Sequence, residues 1–133
     1  MKPYKYHFTE RESDITIISD SETAILKAKD MFYEQRKILE NYVTSHKKFL
    51  TSFSPVSVNT KYKIINLMAE ATKVFDVGPM AAVAGALADL MMDAMKEQNP
   101  NYLPPKVAVV ENGGEIIVES EKPIRIALYA GYN

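Results

Sequence analysis

Two short clusters of glycine and carboxylate are where this sequence could do chemistry. In Asp76-Val77-Gly78-Pro79-Met80 a permissive glycine precedes a proline. Proline suits the first position of a helix, because its missing N–H would be unpaired there anyway. A helix start leaves backbone N–H groups free, and such groups hold a phosphate or carboxylate. Asp76 is placed to orient the loop or touch a ligand; its purely structural use is a carboxylate near the positive end of the helix. The second cluster is Glu111-Asn112-Gly113-Gly114-Glu115. Asn-Gly is a strong hairpin signal, since a type I′ turn needs positive φ at both central positions. Gly114 exceeds what a turn centred on Asn112-Gly113 needs, and a loop bare of side chains lets backbone approach a ligand. Glu111 and Glu115 then either flank that ligand as hydrogen-bond acceptors or stand as solvated strand ends. The expected ligand-binding set is Asp76, Gly78, Pro79, Met80, Glu111, Asn112, Gly113, Gly114 and Glu115. No catalytic residue and no metal ligand is assigned.

Between the clusters runs a helix of small residues: Ala81, Ala82, Ala84, Gly85, Ala86 and Ala88. A glycine inside a helix costs roughly 0.5–1 kcal/mol relative to alanine, so Gly85 suggests a backbone brought close to a neighbour. Asp89, Asp93 and Glu97 recur every fourth residue, where like charges repel by a few tenths of a kcal/mol per pair. They read as a solvated stripe partly neutralised by Lys96 rather than as a metal site. His7 and His46 lack metal-ligand spacing. No phosphate-binding loop, dinucleotide fingerprint or nucleophile elbow is present.

The elements that must position these clusters follow from periodicity. Tyr4, Tyr6 and Phe8 alternate with Lys5, His7 and Thr9 on one strand, and Ile15 and Ile17 continue on a second. From Ser21 the period changes to that of a helix, with Ile25, Ala28, Phe32, Leu39 and Tyr42 on its apolar stripe. Asp20 or Ser21 can cap it. A loop over Thr51 to Asn59 leads to a second helix, Thr60 to Lys73, with Ile64, Ile65, Met68 and Ala71 apolar. The small-residue helix spans Pro79 to Gln98, burying Met80, Val83, Leu87, Met91 and Ala94. Val107 to Val110 reads as a central strand. Ile116 to Glu119 returns beside it, and Ile124, Ile126 and Leu128 mark a last strand that would be a sheet edge ending at Asn133. The expected fold class is α+β: an antiparallel sheet with helices packed on one face, in the order ββ-ααα-βββ.

Bulk properties bound the function. The 133 residues suffice for one domain with a core, and 47% apolar against 25% charged residues is a globular balance. With 16 basic and 17 acidic side chains, the net charge of −1 lacks the electrostatic footprint of a nucleic-acid binder. No apolar run reaches membrane-spanning length, so neither nucleic acid nor membrane is an expected partner. There is no cysteine for a disulfide or thiolate chemistry. The expected location is the cytoplasm.

Three segments together resemble a known family: Glu12–Ile17 (ESDITI), Asp76–Asp89 (DVGPMAAVAGALAD) and Val109–Ile116 (VVENGGEI). They are similar to the ApbE-like proteins of archaea and bacteria, distant relatives of the ApbE flavin transferases. The resemblance implies a T-fold type of architecture. It also implies FAD or FMN with magnesium as the cofactor class, because ApbE proper moves FMN from FAD onto a threonine of a target protein. The sequence departs from the transferases in two places. Val83-Ala84-Gly85-Ala86 stands where they carry a Lys-Gly-Tyr triplet, and Gly113-Gly114-Glu115-Ile116 stands where they end in Gly-Gly-Asn-Ile or Gly-Gly-Asp-Ile. Family members also continue into a second half with most of the metal ligands. The chain thus reads as an N-terminal half, and flavin transfer by it alone is not expected. The functional expectation is a domain that binds a small anionic or heterocyclic ligand of the flavin or nucleotide class. The alternative is a non-catalytic assembly subunit or half-domain, in a homo-oligomer or with a complementary chain.

Overall fold

The alternation at Tyr4, Tyr6 and Phe8 builds strand β1 (Tyr4–Glu10), antiparallel to β2 (Ser13–Ser19) from Tyr4↔Ser19 to Glu10↔Ser13. The computed structural model describes residues 3–121. The link Arg11-Glu12 has no glycine, and Arg11 adopts a left-handed φ of 54°. That turn is held from outside. Arg36 of the following helix donates to Ser13 Oγ at 2.9 Å and to Glu12 Oε1 at 2.7 Å.

Helix α1 (Glu22–Ser45) begins at Ser21, whose Oγ accepts the Ala24 N–H at 3.1 Å. Asp20, the other possible cap, does something else. Its Oδ1 accepts the backbone N–H groups of Lys106 and Val107 at 3.1 and 3.0 Å, tying the start of a distant strand to the end of β2. The buried face of α1 includes Ile25, Ala28, Phe32 and Leu39, as its apolar spacing requires. A short helix α2 (Lys47–Thr51) follows and buries Phe49. Helix α3 (Lys63–Phe75) starts three residues later than expected. Thr60 and Asn66 exchange hydrogen bonds of 2.9 and 3.0 Å, and this closed loop precedes the first helical residue. Ala69 and Thr72 are buried on α3, whereas Ala71 is exposed.

The expected helix over Pro79 to Gln98 is two pieces, a 3-10 turn (Pro79–Ala82) and α4 (Val83–Met95). Ala82, at φ −102° and ψ 9°, is the joint between them. At the far end Tyr102 Oη donates to the Met95 carbonyl at 2.7 Å, filling one of the acceptors that a helix terminus leaves open. Strands β3 (Val107–Asn112) and β4 (Glu115–Ser120) complete a four-stranded antiparallel sheet ordered β1-β2-β3-β4. The strand expected over Ile124, Ile126 and Leu128, and its edge, lie outside the described residues.

This is an α+β fold with a four-stranded antiparallel sheet. Ile15 and Ile17 of β2 and Ala108 and Val110 of β3 join one core cluster with Phe32, Met68, Leu87 and Met91. Helix α4 lies against α1 on one side and against β3 and β4 on the other. Among the described residues no single helix is long and apolar enough to cross a membrane.

Gly78 is required by close approach. Its φ of −71° suits any residue, but a Cβ there would sit 1.8 Å from the Ser52 carbonyl oxygen. Because the neighbour is backbone, Gly78→Ala should lower stability by about 1–3 kcal/mol, the usual cost of overpacking. Urea unfolding measures it; a change below a few tenths would show that the Ser52 loop gives way freely.

Candidate functional site

A groove of about 680 Å³ opens where the last turns of α3 meet the 3-10 turn, the start of α4 and the first residue of β4. Leu67, Ala71 and Val74 recur at i, i+4 and i+7, a second apolar stripe beside the buried one, and form one wall with Phe75. Val74 and Phe75 are 79% and 76% exposed. The opposite floor is Ala81, Ala82, Gly85 and Ala86, where the missing side chains are the space itself. Gly85 does not serve a close contact, as its place in a helix suggested. A Cβ there would meet only the Glu115 carboxyl carbon, at 3.9 Å, which is ordinary contact distance.

Three carboxylates stand around this apolar floor: Glu70, Asp89 and Glu115. Partial burial, with the charges of Asp93 and Glu115 adding to it, raises the Asp89 pKa above its usual 3.8. The rest of the acidic stripe is spent elsewhere. Glu97 pairs with Lys27 at 3.1 Å, and Lys96 donates to the Pro105 carbonyl at 3.0 Å instead of neutralising its own helix. Among the described residues no three His, Asp or Glu side chains converge as a metal site.

The structure brings only part of the expected set to this groove. Glu115 lines it, and so does Val77, which lies between Asp76 and Gly78. Asp76 is the left-handed C-cap of α3, at φ 55°. Gly78 and Pro79 are buried and Met80 is half-buried, at the start of a four-residue 3-10 turn packed on the Ser52 carbonyl. The hairpin turn is displaced by one residue from the expected Asn112-Gly113. Asn112 pairs with Glu115, so the central residues are Gly113 and Gly114, at φ 56° and 100°. Both glycines are therefore needed by the turn. Asn112 is buried, and its Nδ2 donates to the Ala84 carbonyl at 3.2 Å, fastening the strand end to α4. Glu111 and Glu115 do not flank one site. Glu115, paired with Asn112, shares its face of the sheet, toward α4. Glu111, one residue before Asn112, lies on the other face and accepts the Gly114 N–H at 2.8 Å. The residues that sequence reasoning passed over are the α3 wall, and the signal for it was the Leu67-Ala71-Val74 spacing.

A raised folded-state pKa means that Asp89 holds its proton more tightly in the fold than in the unfolded chain. The associated stability is fully present below the ordinary value of 3.8 and is lost as pH rises through the higher folded value. Above that range the charged carboxylate costs the fold. Asp89→Asn should therefore be more stable than wild type at neutral pH by a few tenths of a kcal/mol, the scale of one like-charge helix pair. Thermal melts should show the difference vanish below the ordinary aspartate range; a difference that persists there would assign the gain to something other than charge.

Comparison with known proteins places these residues in a family. The family described as AbpE bacteria matches residues 1–133. The UPF0280 protein of Methanospirillum hungatei is 35% identical over 127 residues, which is 96% of this chain and 50% of that protein. The UPF0280 protein of Methanococcus maripaludis strain C7 is 39% identical over 132 residues, 98% of this chain and 51% of its own length. That of Archaeoglobus fulgidus is 33% identical over 129 residues, 97% and 52% respectively. The chain spans about half the length of these curated relatives. Matched from its first residue to its last, the chain belongs to the AbpE bacteria family.

Proposed function

We propose that this chain binds a small heterocyclic ligand of the flavin or nucleotide class in the groove between α3, α4 and the start of β4. The observation that carries the reading is Gly85. A helical glycine costs roughly 0.5–1 kcal/mol against alanine, and here the fold has room for the missing methyl group. What the absent side chain preserves is the open floor of the groove. The apolar floor and the Phe75 wall offer a flat ring two faces to pack against. The resemblance of Asp76–Asp89 and Val109–Ile116 to the ApbE-like motifs supports a flavin, since both segments contribute to this groove, the first from Val77 to Asp89 and the second through Glu115. A flavin bound there would supply redox chemistry. Among the described residues no three His, Asp or Glu side chains converge on one point, and no step is assigned to a magnesium ion.

A second reading, a subunit that pairs with another chain, is favoured by the apolar surface at the same end of the molecule. Phe53, 94% exposed, has its Cα beside the Gly78 position, and Val74 and Phe75 stand out from the neighbouring helix end. Light scattering on wild type and Phe75→Ser separates the two readings. A dimer that the substitution dissolves supports pairing.

The binding reading is tested by filling the floor. Gly85→Ala should raise stability by about 0.5–1 kcal/mol. Gly85→Leu should fold with an unchanged circular dichroism spectrum and lose at least about tenfold in affinity, on the order of 1.4 kcal/mol. Titration calorimetry with riboflavin, adenosine, FAD, FMN and ATP reads the loss. Silence across that panel in wild type, or full binding by Gly85→Leu, would sink the proposal.

A further inference from the structure

The charge lining the groove constrains which end of a ligand it can hold. Among the described residues its charged side chains are Glu70, Asp89 and Glu115, and no lysine or arginine lines it. Phosphate groups are held by Lys and Arg side chains or by converging backbone N–H groups. The nearest backbone candidates are occupied or distant. The Gly114 N–H is taken by Glu111 and the Gly113 N–H by the Asp14 carbonyl, while the 3-10 turn begins against the Ser52 carbonyl oxygen. An ionised carboxylate can only accept hydrogen bonds, so what it recognises is a donor.

We propose that the groove reads the ring and not the phosphate of its ligand, taking an uncharged or cationic nitrogen heterocycle whose N–H groups donate to Glu115 and Asp89. The inference rests on the binding reading above and narrows it: the anionic ligand expected from the helix start gives way to an uncharged or cationic one. Glu115 is the natural discriminator, because its carboxyl carbon lies at contact distance from the open position above Gly85. A ring lying on the alanine floor brings its edge to that carboxylate. A phosphate attached to the ring then extends to solvent, still within reach of three like charges. Burial, then the charge of Asp93, and last that of Glu115 raise the Asp89 pKa.

The test compares ligands that differ only by phosphate: riboflavin with FMN by fluorescence quenching, and adenosine with AMP by calorimetry. At low salt the neutral member of the pair that binds should be favoured by about three- to tenfold. Exposed charges are screened within about 3 Å at 1 M ionic strength, so the preference should shrink in high salt. Glu115→Gln keeps the shape and removes the charge, and it should narrow the same ratio while leaving the melting temperature within a degree or two, in keeping with an exposed strand-end residue. Equal or tighter binding of FMN or AMP, or a ratio indifferent to Glu115→Gln, would overturn the inference and leave the groove as a binding site. No binding by any of the four in wild type would overturn the inference together with the reading it rests on.

Discussion

The constraint on which the structure depends is that α4 must be enclosed. It touches α1, α3, β3 and β4, and from Ala86 to Met95 every residue except Asp89 and Asp93 is buried. A helix apolar on nearly all sides is stable only inside a core. The long side chains Leu87, Leu90, Met91, Met92 and Met95 supply the contact area, each buried aliphatic being worth roughly 1.5–3 kcal/mol. Ala86, Ala88 and Ala94 are buried with them. Asp89 and Asp93 mark the exposed line of the helix, which explains their spacing of four without any metal. The groove lies along the upper end of that line, where the enclosing elements leave a gap.

Much of this was legible in the sequence because local period and burial agree. The apolar stripe of α1, the alternation of β1 and β2, and the continuous run Val107 to Val110 all behave as their patterns dictate. The differences arise where tertiary contacts override local signals. Asn112-Gly113 is a stronger turn signal than Gly113-Gly114, yet Asn112 is drawn into the strand because its side chain can reach the Ala84 carbonyl. Asp20 is as good a helix cap as Ser21, but the backbone of Lys106 and Val107 claims it. Neither partner is within eighty residues of Asp20 in the chain.

The site was legible in one half. A run of small residues in a helix announces that something comes close to it, and the sequence supplies no means to tell a packed neighbour from an open space. Gly78 and Gly85 illustrate the two outcomes seven residues apart: one is filled by the Ser52 carbonyl, the other looks onto a groove. The α3 wall was harder to see. Leu67, Ala71 and Val74 are apolar, as core residues are, and only the position of α4 decides that Ile64, Ile65 and Met68 face inward instead.

The two sides of the groove differ in how freely they can change. The floor is made by the 3-10 turn and the start of α4, a helix whose other residues pack against the sheet and α1. The wall belongs to the tip of α3, whose Val74 and Phe75 project into solvent and whose chain direction is set by the single left-handed residue Asp76. Substitutions along that wall alter the width and character of the groove at almost no cost to the core. The shape of the groove can therefore change through one exposed helix turn, while the small-residue helix stays as it is.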